Sequence, residues 1–355
     1  MNSALPDPDF WRGKRVLLTG HTGFKGSWLM LWLQSLGAEV SGMALPPDTT
    51  PSLFDQLFAD GCAGHFIGDI RDADGMRQRV ADVAPDVVLH LAAQPLVLRS
   101  YRDPLETWDT NVTGTANLLE ALRGTDRKIA VVIVTTDKVY ANREWVHGYR
   151  ETDRLGGHDP YSASKAACEL VVDSFRKSFF AQTDVRIATA RAGNVIGGGD
   201  WADNRILPDL VRAVAAGRTL SVRNPDAVRP WQHVLDPLAG YLVLAERLWQ
   251  DADHAQAYNF GPDAADQRPV RALVEAALTH WPGTWEDTSD PSAPHEAGRL
   301  TLATDKAQAE LGWTPRWPFA QTVAHTIGWY RAVQYGADPR ATALAQIAAF
   351  QDDTA

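Results

Sequence analysis

The stretch Val16-Leu17-Leu18-Thr19-Gly20-His21-Thr22-Gly23-Phe24-Lys25-Gly26 decides the fold of this 355-residue chain. Its apolar beginning predicts a short buried strand that ends at Gly20, and residues 24–36 have the periodicity of a helix. The glycines recur at every third position, where Gly20 permits a tight turn, Gly23 lets a phosphate approach the backbone and Gly26 lets the helix pack closely on the sheet. Because free amides at the start of a helix attract anions, this strand–turn–helix unit predicts a dinucleotide-binding site.

Apolar runs and helical patterns alternate through the first half of the chain. Further strands are predicted at 40–45, 65–70, 87–91 and 129–134, with helices at 72–83 and 104–122. Strands that are apolar on both faces and separated by helices are typical of a parallel sheet covered on both sides. We therefore expect an α/β protein with a Rossmann-type doubly wound parallel sheet and a smaller C-terminal α/β substrate domain.

The character of the sequence changes after Arg191. A glycine-rich stretch follows at 193–199, and proline and tryptophan become more frequent. We place a dinucleotide-binding domain at 1–191, with 229–262 returning to it, and a mainly substrate-binding domain at 192–355.

The composition excludes several classes of protein. With 45% hydrophobic and 22% charged residues the chain is expected to fold, and its net charge of −10 does not suit a nucleic-acid partner. Cys62 and Cys168 match no metal-ligand spacing, so neither a disulfide scaffold nor a metal site is expected. The first ten residues lack the basic and apolar segments of a secretion signal, and no apolar run is long enough to cross a membrane. We therefore expect a cytoplasmic protein without membrane contact.

A tyrosine and a lysine four residues apart form the first candidate for catalysis. Tyr161 and Lys165 lie on one face of a predicted helix. A tyrosine hydroxyl with its ordinary pKa of about 10 is mostly protonated at neutral pH, and a neighbouring ammonium favours its ionised form. Thr135-Thr136-Asp137 ends the fifth predicted strand, and the active sites of α/β sheets form at the carboxyl ends of their strands. The two segments together predict a catalytic site.

Several further motifs resemble the extended short-chain dehydrogenase/reductase family. They are Leu91-Ala92-Ala93, Asn111-Val112-Thr113-Gly114-Thr115, Asn194, Arg229-Pro230-Trp231-Gln232-His233-Val234-Leu235-Asp236 and Tyr258-Asn259-Phe260-Gly261-Pro262. Within that family the chain is most similar to the nucleotide-sugar 4,6-dehydratases, through residues 20–28, 45–48 and 136–140. The likeness covers most of the chain.

The resemblance implies an NAD cofactor and a redox cycle without net oxidation. Tyr161 would take the proton of the sugar 4-hydroxyl while hydride leaves carbon 4, water would then leave across carbons 5 and 6, and the hydride would return to carbon 6. The catalytic residues that it implies are Thr136, Asp137, Lys138, Tyr161 and Lys165. Asp137 would protonate the departing hydroxyl if burial raises its pKa. Lys138 would accept the carbon-5 proton only with a strongly lowered pKa, and would otherwise orient the substrate.

The cofactor residues implied by the same resemblance follow the edge of the sheet. They are Gly20, His21, Thr22, Gly23, Phe24, Lys25, Asp69, Ile70, Leu91, Ala92, Ala93, Asn111, Tyr161 and Lys165. The second strand ends without the acidic residue that usually binds the ribose, since the nearest is Asp48, but no arginine stands there for a 2′-phosphate, so NAD is favoured over NADP. Asp69 either reaches the adenine side or caps the next helix, and His21 either contacts the phosphates or packs over the glycines.

A nucleotide sugar carries two phosphate charges, so an acidic protein must supply local positive charge. The substrate-binding residues expected from the resemblance are Arg99, Asn194, Arg205, Arg229 and Arg299. The resemblance implies CDP-glucose as the substrate, and the glutamate that the dTDP-glucose enzymes of the family have where Lys138 stands disfavours dTDP-glucose. A dTDP-glucose dehydratase, a nucleotide-sugar 4-epimerase and a dinucleotide-sensing regulator are the alternatives. Asp137 and Lys138 disfavour the epimerase, and the presence of Tyr161 and Lys165 disfavours the regulator.

The helix predicted over 162–180 is apolar around more than half of its circumference. Such a helix packs on two sides, either within the core or against a second copy of the chain. We expect a homodimer or a dimer of dimers, in which this helix pairs with the helix at 104–122 across a twofold axis.

Overall fold

A computed structural model describes residues 3–290 and 298–353 of the chain. Its strands, numbered along the chain, are β1 Arg15–Thr19, β2 Glu39–Ala44, β3 His65–Ile67, β4 Val87–His90, β5 Ile129–Val134, β6 Val185–Ala192, β7 Val195–Ile196, β8 Leu220–Val222, β9 Val228–Pro230, β10 Gln232–His233, β11 Ala257–Phe260, β12 Gln267–Pro269 and β13 Trp285–Asp287. Seven of them form one parallel sheet in the order β11-β6-β5-β4-β1-β2-β3. The predicted Rossmann-type parallel sheet is confirmed.

The helices cover both faces of this sheet and build most of the second half. They are α1 Pro8–Trp11, α2 Phe24–Ser35, α3 Leu53–Leu57, α4 Ala73–Val83, α5 Val97–Arg102, α6 Pro104–Trp108, α7 Gly114–Leu122, α8 Pro160–Phe175, α9 Ile206–Ala215, α10 Leu235–Gln250, α11 Val270–His280, α12 Phe319–Gln334 and α13 Pro339–Asp352. A π-helical turn, Asp109–Thr113, joins α6 to α7, and another, Arg176–Phe180, extends α8. Over the described ranges, no helix is long and apolar enough to span a lipid bilayer.

Alternate residues of the central strands face two separate apolar cores. Val16 and Leu18 of β1 point into the core that contains α2 and α10, whereas Leu17 points into the core that contains α4, α7 and α8. All three side chains are completely buried. Burial on both faces explains why the strands of this sheet are continuous apolar runs.

The chain leaves the central sheet after β6 and later returns to it. Arg191, where the character of the sequence changes, lies inside β6. Strand β11 pairs in parallel with β6, with Ala257 opposite Thr189, and α10 packs on β5 and β6. The intervening and following segments form small two-stranded sheets, which are β7 with β10, β9 with β12 and β8 with β13.

The strand order reverses at β1, which lies between β4 and β2. The loops that follow β1 and β4 therefore diverge and open a crevice at the carboxyl edge of the sheet, where doubly wound folds bind their ligands. The loop after β1 begins at Gly20, the loop after β4 at Leu91 and the loop after β5 at Thr135.

Helices α6 and α8 leave apolar side chains on the surface. Leu105 is 83% exposed and Leu170 is 63% exposed, and Trp108 and Phe179 are partly exposed. On its inner side α8 buries Cys168. The wide apolar face predicted over 162–180 is therefore divided between core and surface, and α6 contacts α8 within one chain.

Candidate active site

The glycine turn after β1 is shaped as a cradle for a phosphate. Gly20 has φ +77°, and a Cβ there would lie 2.6 Å from the backbone nitrogen of Ala92. A Cβ on Gly26 would lie 2.1 Å from the carbonyl oxygen of Gly20, so helix and turn touch. Gly23 differs, because the nearest atom to its Cβ position is 3.5 Å away and the residue faces a cavity at the first turn of α2. The turn thus fits the pyrophosphate of a dinucleotide, which needs a bare backbone and free amides at a helix start.

The cavity has a volume of about 1140 Å³ and runs along the carboxyl edge of the sheet. Sites for a single small molecule usually measure ~300–1,000 Å³, so a dinucleotide and a nucleotide sugar have room here together. The predicted residues that line it are Gly20, Thr22, Gly23, Phe24, Lys25, Asp69, Ile70, Leu91, Ala92, Ala93, Arg99, Thr136, Asp137, Lys138, Tyr161, Lys165, Asn194, Arg205 and Arg229. Three predicted residues, His21, Asn111 and Arg299, are not part of the lining.

The side chain of His21 points into the protein and not into the cavity, so of its two alternatives the structure favours packing. The side chain is completely buried, and its Nε2 lies 2.6 Å from Nδ1 of His65. A Cβ on Gly42 would come within 2.4 Å of the His21 ring, so the imidazole occupies space that a glycine leaves in β2. Burial, together with the neighbouring His65, lowers the pKa of His21 to about 4, and the ring is neutral at physiological pH.

Asn111 and Arg299 also have structural contacts in place of the expected ligand contacts. The Asn111 amide accepts from the Gln94 backbone nitrogen at 2.8 Å and donates to the Ser164 hydroxyl at 2.9 Å, so it ties the loop after β4 to α8. Arg299 pairs through its backbone with Val228 at the rim of the site, and its Nε is buried without a hydrogen-bond partner among the described residues.

Asp69 reaches the cavity and does not cap the following helix. The cap of α4 is Asp72, whose carboxylate accepts from the backbone nitrogen of Gly75. Asp69 accepts from the backbone nitrogen and the guanidinium of Arg71, with 2.6 Å between Asp69 Oδ2 and Arg71 Nη2. It therefore stands ionised at the end of the cavity that also contains Asp48.

Thr136, Asp137 and Tyr161 meet at the opposite side of the cavity. The Thr136 hydroxyl donates to Asp137 Oδ1 at 3.0 Å and lies beside the Tyr161 hydroxyl, whose pKa it helps to lower. Asp137 is 2% exposed, and its second oxygen has no hydrogen-bond partner among the described residues. That oxygen lies next to Gly193, where a Cβ would be 3.0 Å away. Burial raises the pKa of Asp137, although the charge of Lys138 opposes the shift, so this carboxyl keeps its proton to higher pH than an exposed one.

The tyrosine is neutral in the protein by itself. Burial raises the pKa of Tyr161 to about 12, against the opposing effects of the Thr136 hydrogen bond and the charge of Arg205. Lys165 lies one turn further along α8 and donates from Nζ to the carbonyl oxygen of Val134 at 2.9 Å. The expected ionisation of Tyr161 thus requires a further positive charge or a proton acceptor in the cavity.

A second buried lysine lies below the site. Lys25 Nζ donates to the Tyr241 hydroxyl at 3.1 Å. Burial lowers the pKa of Lys25 to about 7, with further lowering by the charges of Arg205 and Lys165 and an opposing effect of Asp137. Lys25 lies in the first turn of α2, directly after the glycine turn, and its charge interacts with that of Asp137.

Three arginines, Arg99, Arg205 and Arg229, line the cavity, and each has a protein partner. Arg205 Nη1 lies 2.8 Å from Asp200, and Arg99 Nη2 lies 2.8 Å from Glu106. Arg229 donates to the backbone carbonyl of Val228 at 3.0 Å and is nearly buried. Paired arginines retain unused N–H donors, so these side chains can still bind a diphosphate.

A buried ion pair behind Thr136, Asp137 and Lys138 was not predicted from the sequence. Glu169 and Arg191 approach to 2.8 Å, and both side chains are 4% exposed. The signal for Glu169 was its position four residues after Lys165, which places it on the same face of α8. Arg191 carried no comparable signal, because its contacts come from strands and loops that are distant in sequence.

Comparison with known proteins identifies similar chains throughout this length. The sequence model of the GDP-mannose 4,6 dehydratase family matches residues 17–326. The chain is 47% identical over 340 residues to the CDP-glucose 4,6-dehydratase of Salmonella typhimurium, with 94% of each chain covered. It is 31% identical over 332 residues to a dTDP-glucose 4,6-dehydratase of Streptomyces griseus, covering 89% of this chain and 93% of that one. The dTDP-glucose 4,6-dehydratase of Streptomyces venezuelae, crystallised with NAD, superimposes with a TM-score of 0.75 at 26% identity over 92% of this chain and 99% of that one.

Proposed function

This chain belongs to the GDP-mannose 4,6-dehydratase family, and from that premise we propose that it is an NAD-dependent hydro-lyase that converts CDP-glucose to CDP-4-keto-6-deoxyglucose and water. The observation that carries the proposal is the arrangement of Tyr161, Thr136 and Asp137 on one wall of the cavity. A redox tyrosine alone suffices for epimerisation, whereas loss of water needs a separate proton donor. Asp137, buried and with a raised pKa, is that donor.

The dinucleotide cradle and the cavity beside it seat NAD. Gly23 and the first amides of α2 face the pyrophosphate, and Asp69 stands at the adenosine end. Lys165 would hold the ribose next to the nicotinamide. NAD held there would supply the acceptor for the hydride from carbon 4 of the sugar and the donor of the same hydride to carbon 6.

The protein residues handle the protons of the reaction. The positive charge of bound NAD, beside that of Lys165, would favour the ionised form of Tyr161, which accepts the proton of the 4-hydroxyl as carbon 4 becomes a ketone and the hydrogen on carbon 5 becomes acidic. That hydrogen leaves as a proton, for which Lys138 in its neutral form is the proposed base and which it otherwise helps to expel by orienting the substrate, while Asp137 protonates the 6-hydroxyl so that it leaves as water. The base returns the proton to carbon 5 when carbon 6 is reduced.

At the end of this cycle Tyr161 has gained one proton and Asp137 has lost one. Thr136 lies beside the Tyr161 hydroxyl and donates to Asp137 Oδ1 at 3.0 Å. A relay through this hydroxyl would carry the proton from Tyr161 to Asp137 and restore both residues once the positive charge of oxidised NAD offsets the burial that favours the neutral tyrosine.

The three arginines bind the diphosphate of the substrate. Arg99, Arg205 and Arg229 supply the positive charge, with Asn194 as a neutral donor beside them. CDP-glucose fits best as the substrate because the relative at 47% identity is named for it, and because Lys138 stands where the dTDP-glucose enzymes have glutamate.

The protein acts as a cytoplasmic homodimer. The exposed side chains of Leu105 and Trp108 on α6, of Leu170 on α8 and of Phe179 on the π-helical turn that extends α8 form the surface that a second copy covers. Exposed apolar side chains on two helices that contact each other are typical of isologous contacts.

Mass spectrometry of sugar nucleotides after incubation with the protein and NAD tests the function. We expect the CDP-glucose product to be lighter by one water, with no net reduction of the cofactor and little conversion of dTDP-, UDP- or GDP-linked sugars. Tyr161→Phe should reduce turnover at least about a thousandfold while NAD still binds, because only the proton acceptor is removed. Unchanged masses for every sugar nucleotide would disprove the dehydratase function.

A further inference from the structure

Glu169 uses both oxygens of its buried carboxylate. Oε1 accepts from the Thr135 hydroxyl at 2.6 Å, and Oε2 accepts from the Thr189 hydroxyl and from Arg191 Nη2, both at 2.8 Å. Burial disfavours the ionised form, but the charge of Arg191 and these hydrogen bonds outweigh it and lower the pKa of Glu169. The carboxylate is therefore a permanent negative charge inside the protein.

Arg191 connects Glu169 to residues that follow the segment Thr136–Lys138. Its Nη1 donates to the Tyr140 hydroxyl at 2.8 Å and to the carbonyl oxygen of Glu151 at 3.0 Å. The Tyr140 hydroxyl in turn donates to Asn259 Oδ1 at 2.8 Å. Thr135 precedes the segment Thr136–Lys138 and Tyr140 follows it, so one ion pair fastens both ends of the loop that carries the proposed acid and base.

The same carboxylate lies one helical turn from Lys165. The titratable groups around Lys165 are Cys168 and Glu169 on its own helix, Lys25 on α2 and His90 on β4. Burial lowers the pKa of Lys165, and Cys168 and Glu169 oppose that effect. Burial also raises the pKa of the Cys168 thiol, so Glu169 is the member of this group that is negatively charged at neutral pH.

We propose that the Glu169–Arg191 pair is a positioning pair for the reaction: it holds the two ends of the segment 135–140 in register and places a fixed negative charge one helical turn from Lys165, a role that rests on the proposed dehydratase function. Neither side chain reaches the substrate, because both are buried behind the cavity wall. Their effect is exerted through Thr135, Tyr140 and Lys165.

The test is the pH dependence of kcat and KM in Glu169→Gln and in Glu169→Gln with Arg191→Met. The glutamine keeps an acceptor for a threonine hydroxyl but removes the charge, and the double variant leaves no unpaired buried arginine. We expect kcat to fall about tenfold or more with little change in the KM for CDP-glucose, because a displaced catalytic segment slows the chemical step. The alkaline limb of kcat should move by about one pH unit toward lower pH in Glu169→Gln, because Lys165 loses its proton more readily, and by less in the double variant, which also removes the positive charge of Arg191.

Glu169→Asp is the rescue variant, since it keeps the charge with a shorter reach. It should retain the wild-type alkaline limb while kcat falls. Asp86→Asn is the matched control. Asp86 pairs with Arg15 at 2.8 Å at the amino ends of β4 and β1, far from the cavity, so this variant should leave both limbs of the pH profile unchanged. Folded Glu169 variants with wild-type kcat and an unshifted alkaline limb would overturn the proposal.

A second readout separates this proposal from the proposed function. If the wild-type protein dehydrates no sugar nucleotide, the affinity for NAD+ measured by calorimetry against pH still reports on Lys165 through its ribose contact. The loss of affinity at high pH should begin at lower pH in Glu169→Gln than in the wild type. Coincident affinity curves would overturn the positioning role independently of any activity.

Discussion

At the scale of single residues, Gly23 and Gly26 belong to the same turn but have different surroundings. A Cβ on Gly26 would collide with the Gly20 carbonyl at 2.1 Å, whereas one on Gly23 would enter the cavity. We therefore expect Gly26→Ala to destabilise the protein by about 1–3 kcal/mol, the usual cost of overpacking. Gly23→Ala should keep its thermal midpoint and lose affinity for NAD. Thermal denaturation and calorimetric titration of both variants check this, and equal effects of the two alanines on stability would contradict it.

Thr136 offers a second test at this scale, because it links Tyr161 to Asp137. If its hydroxyl returns the proton between turnovers, Thr136→Val should slow steady-state turnover by about a hundredfold and slow the first turnover much less. Thr136→Ser keeps the hydroxyl and should be close to the wild type in both. Rapid-quench measurement of the first turnover beside the steady-state rate separates the two effects. Equal slowing of both rates by valine would show that the threonine serves only to orient the substrate.

The residues of the site were predictable from sequence where the signal is local spacing. The glycine turn and the Tyr161–Lys165 pair are defined by a few consecutive residues, and both line the cavity. The direction of a side chain was not predictable in the same way. His21 lies inside the glycine motif, but its ring contacts His65 and fills the space beside Gly42. Both residues are distant from His21 in sequence and come near it only in the folded sheet.

At the scale of elements, α6 and α8 leave an apolar surface that a solvated helix pair would not need. Leu105→Glu places a charge in the centre of that surface and should weaken the homodimer at least about tenfold, because a charge is costly to bury without a partner. Sedimentation velocity over a range of protein concentrations measures the effect. Tyr335→Glu is a suitable control, since Tyr335 is 74% exposed at the end of α12. A wild-type protein that is monomeric at all concentrations would disprove the dimer.

The strands of the central sheet were predictable because each is buried on both faces. Short elements such as β7, β10 and β12 were not, since two or three residues contain no period, and their pairing depends on segments from elsewhere in the chain. The position of Arg191 inside β6 shows the same limit, because a change of composition need not coincide with the end of an element.

At the scale of the whole molecule, the first residues are fastened to the second half of the chain. Glu246 on α10 accepts from the Trp11 indole and from the backbone nitrogen of Asp7 at 2.9 Å, and the backbone nitrogen of Ala4 donates to the Gly312 carbonyl. Burial raises the pKa of Glu246 from its ordinary value of 4.5 to about 7. The folded protein thus holds this proton more tightly than the unfolded chain.

Stability should therefore decrease as the pH rises from about 4.5 through about 7, because ionisation favours the unfolded chain over this interval. Glu246→Gln mimics the protonated carboxyl and should remove this dependence. We expect it to increase the free energy of unfolding by up to about 3 kcal/mol near pH 8 and to have little effect near pH 4.5. Urea unfolding at both pH values measures this. A destabilised variant at pH 8 would show that folding does not raise the pKa of Glu246, because its carboxylate would then stabilise the folded protein.

The return of β11 to the edge of the central sheet has a consequence for recombination. A crossover point near residue 191 would take β6 from one parent and β11, the strand that covers its outer edge, from the other. If the two strands pair poorly, the exposed edge of β6 invites aggregation. Chimaeras that exchange substrate preference should instead transplant 193–234 and the segment after 261 as two inserts, leaving α10 and β11 with the sheet on which they pack. The segments that determine substrate specificity alternate along the chain with segments that build the central sheet. Homologous genes can therefore exchange specificity only through pairs of crossover points.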